Sequence, residues 1–200
     1  MQQPRRRLSV DDRRDEVLRA CLQLLGERPW DEVSMADVAA AAGASKPLLY
    51  HYFSTKSDLY LAAVRLAADE LAEATKPDPS LPARARRTAA LDAHLDWIEA
   101  NDLAYRAVLQ GGMSSHREVQ AIVEASRDVV VRRLADEFGF DEMTPAQRIA
   151  LRGWIGFLEG ASLDWLRARD VSKEHLARLI GASVAGVIRA AKADPGPPAP

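Results

Sequence analysis

Gly43 stands between two short stretches that each open on a capping serine, and this arrangement constrains the fold more than any other feature of the chain. Ser34 followed by Asp37 reads as an N-cap with an acidic residue in the first turn; together they satisfy orphan amides and favour the positive end of the helix dipole. A helix is therefore expected from Met35. Val38, Ala39 and Ala42 form a stripe of small residues that lets a second helix approach closely, and Gly43 supplies the left-handed residue that ends the first. Ser45 caps the next helix, with Lys46 and Pro47 in its first turn, where a proline removes no intrahelical hydrogen bond. That helix is predicted from Lys46 to Phe53. Two short helices around a tight turn make a helix-turn-helix, a motif that lays its second helix in the major groove of DNA.

At about 100° per residue, Leu49 and Phe53 share one side of the second helix and form its buried anchor. Pro47, Leu48 and His51 centre on the opposite side, flanked by Tyr50 and Tyr52, with Lys46 at the N-terminal end. Cationic side chains read guanine edges, apolar carbons touch the thymine methyl, and Tyr or His donors hold phosphates. The competing reading, in which the aromatics are core of a small helical domain, fits polar aromatics spread around a helix less well.

On these residues the sequence resembles the TetR family of one-component transcriptional regulators. The resemblance is carried by the run Ser34 to Ala39, by Ala41 to Ser45, and by Leu49 to Lys56 with Asp58 and Leu59 after it. It covers the first quarter to third of the chain. It implies that DNA is held by the amide end of the first helix at Ser34, by Ser45, Lys46, Pro47, Leu48, Tyr50, His51 and Tyr52, and by Lys56 at the start of the following helix. Pro47 and Leu48 depart from the small pair, such as Gly-Thr, that many relatives carry; the departure touches base preference and not fold.

The overall charge of −2 is unusual for a DNA binder. Residues 1–60 carry nine Lys and Arg against nine Asp and Glu, so placement matters more than the total. Arg5, Arg6 and Arg7 lead into the first helix, either as an arm reaching phosphates or a minor groove, or as a solvated tail. A hydrophobic content of 48% in 200 residues suffices for one to two modest domains. No apolar run reaches membrane-spanning length and no secretory signal opens the chain, so a cytoplasmic protein with no membrane partner is expected. Cys21, beside Leu22, Leu24 and Leu25, reads as a small buried hydrophobe.

The remaining pattern is all-α, about nine helices in total. A first helix from Val10 to Gly26, with Gly26 as its terminator and with Trp30 and Val33 packing from the loop behind it, completes a three-helix DNA-binding domain over 1–55. Thr55 and Asp58 cap a longer helix running to Lys76, with Leu59, Ala62, Ala63, Leu66 and Leu71 facing inward, and three prolines between Lys76 and Ala83 then enforce a loop. Five further helices are expected over 83–100, 102–110, 115–138, 145–169 and 172–192. They form a helical ligand-binding and dimerisation domain over 56–193, and 194–200 is expected to be a disordered tail.

Within that second domain Gly153, Gly156 and Gly160 recur at helical spacing, as do Gly181, Val184 and Ile188 on the final helix. Glycines inside helices cost roughly 1 kcal/mol each relative to alanine, so a compensating close packing is expected. Within the resemblance this is the four-helix interface of a homodimer; packing inside one subunit is the other reading. A dimer suits a palindromic operator in double-stranded DNA. His94, Trp97, Tyr105, Leu109, Met113, Ile122, Ser126, Trp154 and Phe157 are the expected lining of an apolar pocket for a small-molecule effector, or else plain core. The resemblance implies that ligand binding there shifts the population toward a conformer that no longer fits the groove.

No catalytic, cofactor or metal motif is present. The chain has one cysteine, no His-Glu-x-x-His, no glycine-rich phosphate loop and no Gly-x-Ser-x-Gly, and its four histidines are far apart. The expectation is a non-enzymatic, cofactor-free DNA-binding repressor released by a mostly apolar effector. The alternative is a helical ligand-binding or partner-binding protein without operator-specific DNA binding.

Overall fold

A computed structural model of the chain describes residues 10–29, 32–110 and 116–193. Among them lie nine helices and no strand: α1 (Val10–Glu27), α2 (Met35–Ala41), α3 (Lys46–Tyr52), α4 (Lys56–Ala74), α5 (Ala83–Ala100), α6 (Asp102–Gln110), α7 (Arg117–Phe138), α8 (Pro145–Ala168) and α9 (Lys173–Lys192). The helix starts follow the caps. Ser34 and Asp37 form a reciprocal capping box, with Asp37 N–H to Ser34 Oγ at 3.2 Å and Ser34 N–H to Asp37 Oδ2 at 2.8 Å. Thr55 and Asp58 make the same exchange at the start of α4, as do Thr144 and Gln147 at α8. The arm at Arg5–Arg7, Trp30, Met113 and the tail 194–200 lie outside the described residues.

Two compact units divide the chain, Met1–Asp69 with Asp102–Ile122, and Glu70–Asn101 with Val123–Pro200. The boundary expected from the sequence lies at 55 and 56, and the division between these units stands elsewhere. It falls inside α4, and α6 with the start of α7 joins the first unit because α6 packs on α1. Gly26 makes that packing possible. It does not end α1, which continues to Glu27; a Cβ built on Gly26 would stand 2.3 Å from Leu103 Cβ of α6. The absence of a side chain there sets how closely the two helices approach.

The core of the first unit is made by Val17, Leu18 and Cys21 of α1, Val38 and Ala39 of α2, Leu49 of α3, and Leu59, Tyr60, Ala63 and Val64 of α4. Leu66, expected to face inward, is only half-buried, because Tyr60, Val64 and Ala67 take the buried stripe of α4. Burial pushes both the Cys21 thiol and the Tyr60 phenol up to about 12. Both groups are therefore neutral packing residues at physiological pH.

The second unit is organised by contacts of α8 with α9 and of α5 with both. Leu95 and Ile98 of α5, Leu151 and Ile155 of α8 and Leu176 and Ile180 of α9 are buried. Ion pairs lace its surface. Arg127 bridges Glu124 and Glu159, and Arg152 bridges Glu124 and Asp128, tying α7 to α8. Lys173 reaches Asp96 at 2.6 Å and Glu99 at 2.9 Å, tying α9 to α5. At the C-terminal end of α4, where helix carbonyls lack intrahelical donors, the Arg133 guanidinium donates to the carbonyl oxygens of Ala72 at 3.1 Å and Thr75 at 3.3 Å.

Candidate nucleic-acid interface

The geometry of α3 follows from three local devices. Ser45 Oγ accepts from Leu48 N–H at 3.4 Å and opens the helix, Pro47 occupies its first turn, and the Phe53 N–H donates to Leu49 O at 2.8 Å to close it. Gly43, with φ at +58°, forms the corner between α2 and α3, and Ala44 N–H returns to Ala39 O at 2.8 Å. Leu49 is fully buried and Phe53 is 3% exposed. The rest of the helix is thereby forced outward.

Its outward row consists of the residues the sequence singled out. Lys46, Pro47 and His51 are exposed, Tyr50 is half exposed, and Leu48 and Tyr52 are partly covered. Lys46 Nζ lies 5.9 Å from the Tyr50 ring centroid, and the His51 and Tyr52 rings stand 5.7 Å apart at a tilt. Ser34 and Ser45 are exposed at the N-termini of α2 and α3, and Lys56 is half-buried at the start of α4. The surface presents one cation, an imidazole, two phenols and two apolar side chains from a helix anchored on its opposite side. Phosphates, base edges and thymine methyls are the groups such a mixture recognises. The Ser34 hydroxyl and amide hold the Asp37 carboxyl below its usual range, so this helix start keeps a negative charge within it.

Two family models cover the chain in succession. The model of bacterial regulatory proteins of the tetR family matches residues 17–63, and the model of the tetracyclin repressor-like C-terminal domain matches residues 83–186. The chain belongs to the TetR family. Among curated proteins, this TetR-family chain is 30% identical over 175 residues to the HTH-type transcriptional activator FasR of Mycolicibacterium smegmatis, covering 84% of this chain and 79% of that one. It is 29% identical over 160 residues to the HTH-type transcriptional regulator BetI of Stenotrophomonas maltophilia, covering 78% and 80%. A tetR-family transcriptional regulator from Streptomyces coelicolor superposes with a TM-score of 0.81 at 28% identity, over 93% of this chain and 84% of that one. The protein is a DNA-binding transcriptional regulator, and its relatives are regulators rather than enzymes. Members of the family bind DNA and small-molecule ligands, usually as dimers.

The TetR-family C-terminal segment carries the other predicted residues, and here the structure redistributes them. Tyr105, Leu109 and Ile122 belong to the first unit, whereas His94, Trp97, Ser126, Trp154 and Phe157 belong to the second. The set therefore does not gather within one unit. In the second unit His94 and Trp154 are buried, and Trp154 Nε1 donates to Ser183 Oγ at 3.0 Å. Phe157 is 40% exposed on α8. Sequence reasoning missed Ser162, whose hydroxyl is completely buried on α8 and has no hydrogen-bond partner among the described residues. A serine four residues after Leu158 and three before Trp165, both buried, was the available signal.

Gly153, Gly156 and Gly160 lie along an exposed line of α8, and a Cβ on any of them would meet nothing within 4 Å. Ile149 and Phe157 are exposed beside them. Of the α9 residues expected with them, Val184 and Ile188 face inward and Gly181 does not. Val184 and Ile188 are each 5% exposed, in the core of their own subunit, whereas Gly181 is exposed, and a Cβ built on it would stand at ordinary contact distance, 3.7 Å, from Leu91 of α5. Both periodicities exist on α9, but its buried row is the one holding Val184 and Ile188; its outward row holds Leu179, Ala182 and Gly186. Among the described residues no three His, Cys, Asp or Glu side chains come together as a metal set, and no helix is long and apolar enough to cross a membrane.

Proposed function

We propose that the protein is a homodimeric transcriptional repressor that binds a palindromic operator on the chromosome, in the cytoplasm, and is released from it by a small, mostly apolar effector. The observation carrying this reading is the outward row Lys46, Pro47, Tyr50 and His51 on a helix fixed from behind by Leu49 and Phe53. A single short helix reads few base pairs, so two copies spaced by about one turn of DNA, roughly 34 Å, are needed for a useful specificity. The exposed line of α8, with Ile149, Phe157 and three glycines, is the surface on which a second copy packs. A mostly apolar effector with a polar group is favoured by the composition of the second unit, whose buried residues, among those described, are apolar apart from His94 and Ser162.

The FasR relative is a transcriptional activator, which favours a second reading, in which the same DNA-binding dimer assists transcription rather than blocking it. Selection of genomic fragments bound by the purified protein at near-physiological salt, followed by sequencing and transcription of the enriched promoter in vitro, tests both. An enriched inverted repeat with transcription lowered by the protein supports the repressor. Raised transcription from the same repeat supports the activator, and no enrichment at any salt refutes the operator reading.

A further inference from the structure

Two neighbouring cations on α1, Arg13 and Arg14, reach the two ends of the helix-turn-helix. Arg13 Nη2 donates to the Gly43 carbonyl at 2.5 Å while its Nη1 holds Glu16 Oε2 at 2.7 Å, so the guanidinium fork is braced on its own helix and grips the turn with its other arm. Gly43 is the left-handed residue that sets the angle between α2 and α3, and a cation at the C-terminal end of α2 also suits the negative end of its dipole. The Arg14 guanidinium carbon lies 5.3 Å from the centroid of the Phe53 ring. Phe53 caps the far end of α3 and, with Leu49, forms its buried anchor.

We infer that Arg13 and Arg14 are positioning residues for DNA recognition: they clamp the turn and the far end of α3 onto α1, fixing the entry angle and the roll of the reading helix, and act through α3 rather than through a phosphate. The inference rests on α3 as the reading helix. Its physical basis is leverage. Side-chain tips lie about 5–6 Å from a helix axis, so a roll of about 10° moves Tyr50 and His51 by about 1 Å. Hydrogen-bond distances span only about 0.5 Å, so a displacement of that size takes a base contact out of range. A seven-residue helix with a single fully buried side chain has little of its own to resist such a roll. The planar fork of arginine can grip a carbonyl and a carboxylate together, which the single ammonium of lysine does less well.

The test uses the full chain with Arg13→Met, Arg13→Lys and Arg14→Ala. Binding is measured over a salt series to the fragment recovered by genomic selection and to a scrambled duplex of the same length and composition. Amide exchange of residues 43–53 is followed in the DNA-free protein. Positioning predicts that Arg13→Met and Arg14→Ala lose about tenfold in affinity for the selected fragment and less for the scrambled one, with an unchanged salt slope. It also predicts faster exchange over 43–53 and incomplete rescue by Arg13→Lys. A slope reduced by about 0.9 per protomer on both duplexes, with Arg13→Lys restoring binding, would show phosphate contacts and overturn the inference. Wild-type affinity in the variants would overturn it too. If the wild-type protein selects no fragment, the operator reading fails separately, and the exchange measurement still decides: unchanged protection overturns the clamp, and lost protection supports it.

Discussion

Lowering the pH from 8 to 5 should destabilise the second unit through His94. Burial on α5 pushes its imidazole down from an ordinary value of 6.5 to about 4, because the charged form cannot be hydrated there. In the unfolded chain the same ring binds a proton near pH 6.5, so between those two values the unfolded state holds the extra proton. Stability therefore falls as the pH drops from about 7 to about 4. At about 1.36 kcal/mol for each unit, the full shift corresponds to roughly 3 kcal/mol, and at pH 5 about 2 kcal/mol of it is already lost. Urea unfolding followed by tryptophan fluorescence suits the assay, since Trp97, Trp154 and Trp165 all belong to that unit. The experiment compares wild type with His94→Gln at half-unit steps from pH 8 to 4.5, so that carboxylates held low by cationic partners, such as Glu99 and Glu124, cancel in the difference. The wild-type curve should fall away from the variant's below pH 6.5. Parallel curves would refute the buried neutral imidazole.

Three further outcomes are expected. Tyr50→Ala and His51→Ala should each weaken binding to the selected fragment, checked by fluorescence anisotropy, while sedimentation and thermal unfolding stay as in wild type; a matching fall in melting temperature would mean that these rings are core. Gly26→Ala should destabilise by about 1–3 kcal/mol, because the added methyl overlaps Leu103. At about 2–4 °C per kcal/mol that is a clear drop in a thermal melt, and an unchanged melt would refute the close approach of α1 and α6. Gly156→Arg has open space in its own subunit and should leave the protomer folded while splitting the proposed dimer in sedimentation equilibrium; a variant that stays dimeric would place the interface elsewhere.

What the sequence determined by itself was what physics makes local. A capping serine or threonine acts on the backbone three residues ahead, a left-handed glycine acts on its own turn, and Leu49 and Phe53 face one way because they are four residues apart on a helix. The all-α architecture, the helix-turn-helix and the outward row of α3 follow from such short-range rules. Tertiary structure decided everything that depends on which face meets which neighbour. The final helix offers two rows of comparable small and aliphatic residues, and only the packing of α5 and α8 against it buries Val184 and Ile188 and turns Leu179 and Gly186 outward. Gly26 reads as a terminator until α6 arrives from 77 residues away at Leu103, and Arg13 reads as mere charge until the Gly43 carbonyl, 30 residues on, is brought to its fork. Helical periodicity specifies that a face exists, and burial is settled only when another element covers it.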